Sequence, residues 1–179
     1  MNKAHVYLIA CTLGGVPALL TAQAPSAPVA DALRDYAKRS AQNLVAAAEE
    51  MPADKYGFKP TPPQMSFADV VVHLAEGNDF FCGKIGGVSA PQRDSVAASA
   101  PKEKLVARLR ETFQFCDSAL AKVDDSNLSE QIPFFGGRPV SRARAIVVTV
   151  ADWADHYSQQ AIYLRLNGLL PPTAKRPAS

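Results

Sequence analysis

Three side chains in this sequence have the types and spacing needed to hold a divalent metal ion: His73, Asp152 and His156. Asp152 and His156 are four residues apart, so on a helix a carboxylate and an imidazole share one face and can converge on a single ion. On a helical wheel they belong to a polar row, Thr149, Asp152, His156, Gln159 and Tyr163, and Arg165 and Ser158 mark the opposite, wet side. One apolar flank of the row carries Ile146, Trp153, Tyr157 and Leu164, the other Val148, Ile162 and Leu166, a pattern that predicts a row pointing into the protein. Burying unpaired polar groups costs about 1–3 kcal/mol each, so such a row requires either a hydrogen-bond network or a function. His73 lies between Val70 and Leu74 on an interior stripe, and Gly77 one turn on leaves room beside it.

Two imidazoles and one carboxylate suit Zn²⁺, Ni²⁺, Mn²⁺ or Fe²⁺ and leave coordination positions for water or substrate. Gln159 and Tyr163 are placed to support a ligand or touch a substrate, and Glu76, three residues after His73, can orient or replace one. The structural alternative is a network in which Asp152 and His156 satisfy each other and His73 bonds a backbone carbonyl. A di-iron carboxylate centre is disfavoured, because Glu49, Glu50, Glu111 and Asp117 do not form an inward-facing set.

The elements that must position these residues are helices. Leu33, Tyr36, Ala37, Ser40, Leu44, Ala47 and Ala48 recur at steps of three and four, predicting a first helix over Ala30 to Glu50 stopped by Pro52. Met51 to Met65, with prolines at 52, 60, 62 and 63, reads as a loop laid over the helices by Tyr56 and Phe58. Ser66 with Asp69 has capping-box spacing and opens a second helix, with Phe81 on its interior stripe, down to about Cys82. Gly83 to Ala100 has no sustained period and predicts a long crossover. Pro101 opens a third helix, buried through Leu105, Leu109, Phe113, Cys116 and Leu120 and ending near Val123. Asp124 to Val140 is a turn-rich connection compatible with a short hairpin, and Ser141 caps a fourth helix running to Asn167 before Gly168. The expectation is an all-α four-helix bundle over residues 30–172, with a tail at 173–179.

The chain has 179 residues, 47% hydrophobic and 20% charged, a balance that suits one globular domain and excludes a disordered chain. Nineteen Lys and Arg against 17 Asp and Glu leave no electrostatic footprint for nucleic acid. Lys3 followed by the apolar run Val6 to Leu20 and the small residues around Ala22-Gln23-Ala24 reads as a secretory signal over 1–24, with a linker over 25–29. Gly14, Gly15 and Pro17 interrupt that run, so export to the periplasm or medium is expected, with no stable membrane insertion after cleavage. Cys11 sits in a lipoprotein-like box but comes very early, which ranks lipidation behind simple secretion. Cys82 and Cys116 remain after cleavage, as a disulfide or as two buried thiols.

Taken in order, Met51-Pro52-Ala53-Asp54-Lys55-Tyr56 with Phe58 and Pro60, Ser66 to Leu74, Asp155-His156-Tyr157-Ser158-Gln159, and Tyr163 to Gly168 with Pro171-Pro172 resemble the DinB-like, or YfiT-like, metal-binding bundles over about Val29 to Pro172. The resemblance implies an up-down-down-up bundle with parallel second and third helices, which brings Cys82 and Cys116 to one end and favours their pairing. It implies one histidine ligand from the second helix, matched by His73, and two from the last, of which His156 matches one. The other position is Asp152 here, a departure from the usual three-histidine set that alters metal preference. The family includes thiol-dependent transferases and an isomerase, so the resemblance implies a metal-dependent transferase or hydrolase acting on a small molecule. The competing expectation is a non-catalytic bundle that binds a partner or small ligand through loops bearing Tyr56, Phe58, Phe134 and Phe135; a helix face also leaves room for a homodimer.

Overall fold

The computed structural model describes residues 27–175, and the signal segment, its cleavage site and Cys11 lie outside the described residues. Four helices carry the fold: α1 (Pro28–Glu50), α2 (Phe67–Gly86), α3 (Lys102–Leu120) and α4 (Arg142–Leu166). Among the described residues, no helix is long and apolar enough to cross a membrane.

Local chemistry sets the helix boundaries. Pro28, with its φ already fixed and no N–H to waste, starts α1 two residues before the expected Ala30. Ser66 and Asp69 form the anticipated capping box: the Ser66 hydroxyl accepts from the Asp69 N–H at 3.1 Å, and the Asp69 carboxylate accepts from the Ser66 N–H at 2.9 Å. The Ser66 hydrogen bonds hold the Asp69 carboxyl below its usual range. Pro101 proves to be the N-cap of α3, and regular helix stops at Leu120, short of Val123. The Ser141 hydroxyl caps α4 by accepting from Arg144 N–H. Between α3 and α4, β1 (Gln131–Pro133) and β2 (Pro139–Ser141) pair antiparallel as the short hairpin that the turn-rich composition allowed.

The α2 boundary corrects the sequence reading. The helix continues a full turn past Cys82 to Gly86, and left-handed Gly87 ends it. Gly83 and Gly86 are not breakers but points of close backbone approach. A Cβ on Gly83 would lie 2.9 Å from the Val88 carbonyl oxygen, and one on Gly86 would overlap the Ala119 carbonyl of α3.

Helix directions follow from the contacts. Asn78 bonds Thr112 and Cys82 meets Cys116 at disulfide distance, with Cα atoms 5.0 Å apart, so α2 and α3 run parallel with one register. Tyr163 donates to the Met65 carbonyl at one end and Arg142 to the Ile85 carbonyl at the other, so α4 is antiparallel to α2. Arg34 donates to the Val123 carbonyl and Lys102 to the Glu49 carbonyl, which sets α1 antiparallel to α3. The result is the up-down-down-up bundle, with residues 87–101 as the crossover. Phe67, Leu74, Leu109, Leu120, Trp153 and Leu164 are among its wholly buried side chains, each worth about 1.5–3 kcal/mol of transfer free energy. Tyr56 and Phe58 cover the core: the Tyr56 hydroxyl donates to the Ala48 carbonyl at 2.5 Å, and Phe58 packs edge-on against Tyr163.

Asn78 is the polar residue on which three helices meet. Its side-chain oxygen accepts from the Trp153 indole N–H at 2.8 Å and its amide donates to the Thr112 hydroxyl at 3.2 Å, all three residues being buried. Asn78→Ala strands the indole N–H and loosens the register between α2 and α4. A loss of about 2–3 kcal/mol in urea unfolding is expected.

Candidate metal centre

Wholly buried Trp153 defines the inward direction of α4. Consecutive residues on a helix are about 100° apart, so Asp152 stands to one side of that direction and His156, three residues on, to the same side but nearer. The expected inward row is therefore rotated toward the edge of the bundle. Thr149 and Tyr163 are buried, whereas Asp152, His156 and Gln159 are only partly so. Of the flank expected at Val148, Ile162 and Leu166, half-buried Val148 packs against the core, whereas Ile162 is 54% and Leu166 58% exposed. Gln160, closest to the Trp153 direction, is the wholly buried polar residue that the wheel assignment missed. His73 likewise leaves the interior stripe, and its side chain is 47% exposed.

At this edge α2 and α4 bring the three predicted residues together. The His156 Nε2 is 3.4 Å and the His73 Nε2 3.8 Å from the same carboxylate oxygen, Oδ1 of Asp152. The two imidazole rings stand edge to face with centroids 4.7 Å apart. One donor atom from each residue lies within 4.8 Å of the others. Bonds of about 2.0–2.2 Å place donors around one ion no more than about 4 Å apart, so the set fits a divalent ion once its widest pair closes by about 1 Å. The exposed side of His73 leaves access for water or a substrate.

Gln159 stands behind the cluster, with its Oε1 3.2 Å from His156 Nδ1. In the tautomer where Nδ1–H donates to that oxygen, the ring is oriented with Nε2 facing Asp152. Tyr163 does not face the cluster; its hydroxyl donates to the Met65 carbonyl and ties the loop before α2 to α4. Glu76 faces a separate groove of about 430 Å³ beneath the crossover, with Val71, Val72, Asp79, Arg93 and Leu105. There burial raises the Asp79 carboxyl, opposed by its ion pair with Arg93 at 3.1 Å.

The sequence reading also missed Arg142. Its buried guanidinium donates to the Ile85 and Asn127 carbonyls and pairs with Glu130 at 2.6 Å, joining the end of α2 to the hairpin and the start of α4. An Arg directly after a serine cap reads as surface, and only the non-local carbonyls reveal its role.

The hydrogen bond to Asp152 raises the His156 pKa above the ordinary imidazole value, burial opposing it and Gln159 reinforcing it. In metal-free protein this pair therefore stabilises the fold fully below the unfolded imidazole pKa. The contribution fades as pH rises through the raised folded value. A ¹H–¹³C NMR titration of the metal-free protein should give His156 a pKa above 6.5, and Asp152→Asn should lower it. An unshifted His156 in both proteins would contradict the pairing.

Comparison with known proteins bears on the fold. The sequence profile of the DinB superfamily matches residues 36–160. The structure superposes on a DinB-like protein from Bacillus cereus with a TM-score of 0.68 at 14% identity, covering 79% of this chain and 95% of the other. A DinB-like protein from Bacillus subtilis gives 0.65 at 17% identity, covering 81% and 99%. A mycothiol-dependent maleylpyruvate isomerase gives 0.59 at 10% identity, covering 72% of this chain and 59% of the isomerase. A search of curated protein sequences finds no match. With the profile spanning most of the described bundle and the helix order agreeing, the chain belongs to the DinB superfamily.

Proposed function

We propose that this protein binds a divalent metal ion through His73, Asp152 and His156 and uses it in a transfer or hydrolysis reaction on a small molecule. The observation that carries the reading is the convergence of two imidazole nitrogens and one carboxylate oxygen from two helices at an accessible edge. Two imidazoles and a carboxylate are competent for Zn²⁺, Ni²⁺, Mn²⁺ and Fe²⁺. A bound ion supplies Lewis acidity, polarising a carbonyl or lowering the pKa of a water or thiol.

The protein's own groups do the rest. Asp152 contributes a negative charge that favours a cation over two bare imidazoles, and Gln159 holds the His156 ring in place. The mycothiol-dependent isomerase among the structural neighbours supports a thiol as the reacting partner. The signal-like segment and the Cys82–Cys116 pair support work in an oxidising compartment outside the cytoplasm.

Equilibrium dialysis of untagged, chelator-stripped protein against Zn²⁺, Ni²⁺, Mn²⁺ and Fe²⁺ tests the reading. One ion per chain is expected for at least one metal, with affinity falling at least about 10-fold in His73→Ala, Asp152→Ala and His156→Ala. Full retention in all three variants, or no uptake of any metal, would remove this function.

A further inference from the structure

Along α2, Gly77, Phe80 and Lys84 follow His73 by one, two and three turns on the partly exposed side of the helix, with buried Phe81 beside them. Gly77 is a glycine inside a helix, where it is less favourable than alanine, and its backbone does not need it. An added Cβ would meet only the Phe81 ring at 3.4 Å and Asp152 Oδ2 at 3.9 Å, both ordinary contacts. What the glycine preserves is a gap with a metal-centre carboxylate on one side and an aromatic ring on the other.

Beyond that gap lies a cluster of four phenylalanines. Phe80 stacks on Phe135 with centroids 5.2 Å apart and planes inclined by 22°, and Phe81 stacks on Phe134 at 5.7 Å. Phe81 and Phe134 are buried and complete the core, but Phe135 is 57% exposed at the tip of the hairpin and Phe80 is half-buried. An exposed phenylalanine ring is held against another by the turn at Gly136 and Gly137, which both have positive φ. Phe80 packs against the core from its rim, whereas Phe135 lies outside it and presents its ring to solvent. Lys84 lies over the Phe80 ring at 6.0 Å and marks the far rim.

We propose that Phe80 and Phe135 form a shelf for the flat, apolar body of the substrate, whose polar end passes through the Gly77 gap toward His73, Asp152 and His156. The inference rests on the metal-centre reading and adds the substrate class: a compound with an aromatic or similarly flat apolar group next to the atom that meets the metal centre.

Two hydroxamates, acetohydroxamate and phenylacetohydroxamate, share a metal-seeking group and differ by one phenyl ring. Titrated calorimetrically into zinc-loaded full-length protein, the phenyl compound should bind about tenfold tighter or more. Phe135→Ala, at an exposed hairpin tip, and Phe80→Ala should erase most of that ratio while leaving acetohydroxamate affinity and zinc content unchanged. Gly77→Ala should raise thermal stability yet lower the ratio, an opposition that a purely structural glycine would not produce. Equal affinities on zinc-loaded protein, or a ratio indifferent to Phe80 and Phe135, would overturn this inference alone. Absence of zinc together with absence of binding by either compound would overturn the metal reading and this inference with it.

Discussion

The buried amide of Asn78 is the interaction on which the arrangement depends. It accepts from Trp153 of α4 and donates to Thr112 of α3, so one α2 residue fixes the rotation and height of three helices. In a low-dielectric core a hydrogen bond of this kind is expensive to leave unmade, and sliding α4 by a turn would strand the Trp153 N–H and the Asn78 side-chain oxygen. Apolar packing tolerates such slips far better, because leucines and alanines do not specify a partner. With Asn78 seated on Trp153, His73 falls beside Asp152 and His156.

The α2–α3 pair extends that constraint. Thr112 with Asn78 and Cys116 with Cys82 repeat the same parallel register, and Gly86 lets the backbones close where α3 ends. Parallel neighbours cannot be joined by a tight turn, so the chain uses a long crossover, which encloses the groove holding Glu76 and Asp79. Arg142 then binds the end of α2 to the start of α4, and Tyr163 does the same at the opposite end. His73, Asp152 and His156 are thus borne on two helices pinned at both ends, while His73 leaves one side of the cluster exposed.

Much of this was legible in the sequence because helical periodicity and capping are local. Ser66 with Asp69 and Ser141 announced two helices, and the four-residue spacing of Asp152 and His156 placed both on one face. The resemblance carried by the motifs around His73 and His156 supplied the topology that periodicity could not. Orientation was harder to read. Trp153 lies one residue from Asp152, and taking it as a flank rather than as the inward direction turned Ile162 and Leu166 toward the core when both face solvent. Gly83 and Gly86 fell inside the expected crossover because their reason, the close approach of the Val88 and Ala119 backbones, is set by the fold. Asn78, Arg142 and Gln160 gave no local signal, since a polar residue on an apolar face declares its role only through partners or burial set by the fold.

In the proposed function, one ion sits among two imidazoles and a carboxylate at the edge between α2 and α4. Anomalous diffraction from crystals of zinc-loaded protein, collected on either side of the zinc absorption edge, locates the ion directly. One dominant peak is expected within bonding distance of His73, Asp152 and His156. A peak elsewhere, for instance at Glu76 and Asp79 beneath the crossover, or no ordered zinc at all, would contradict it.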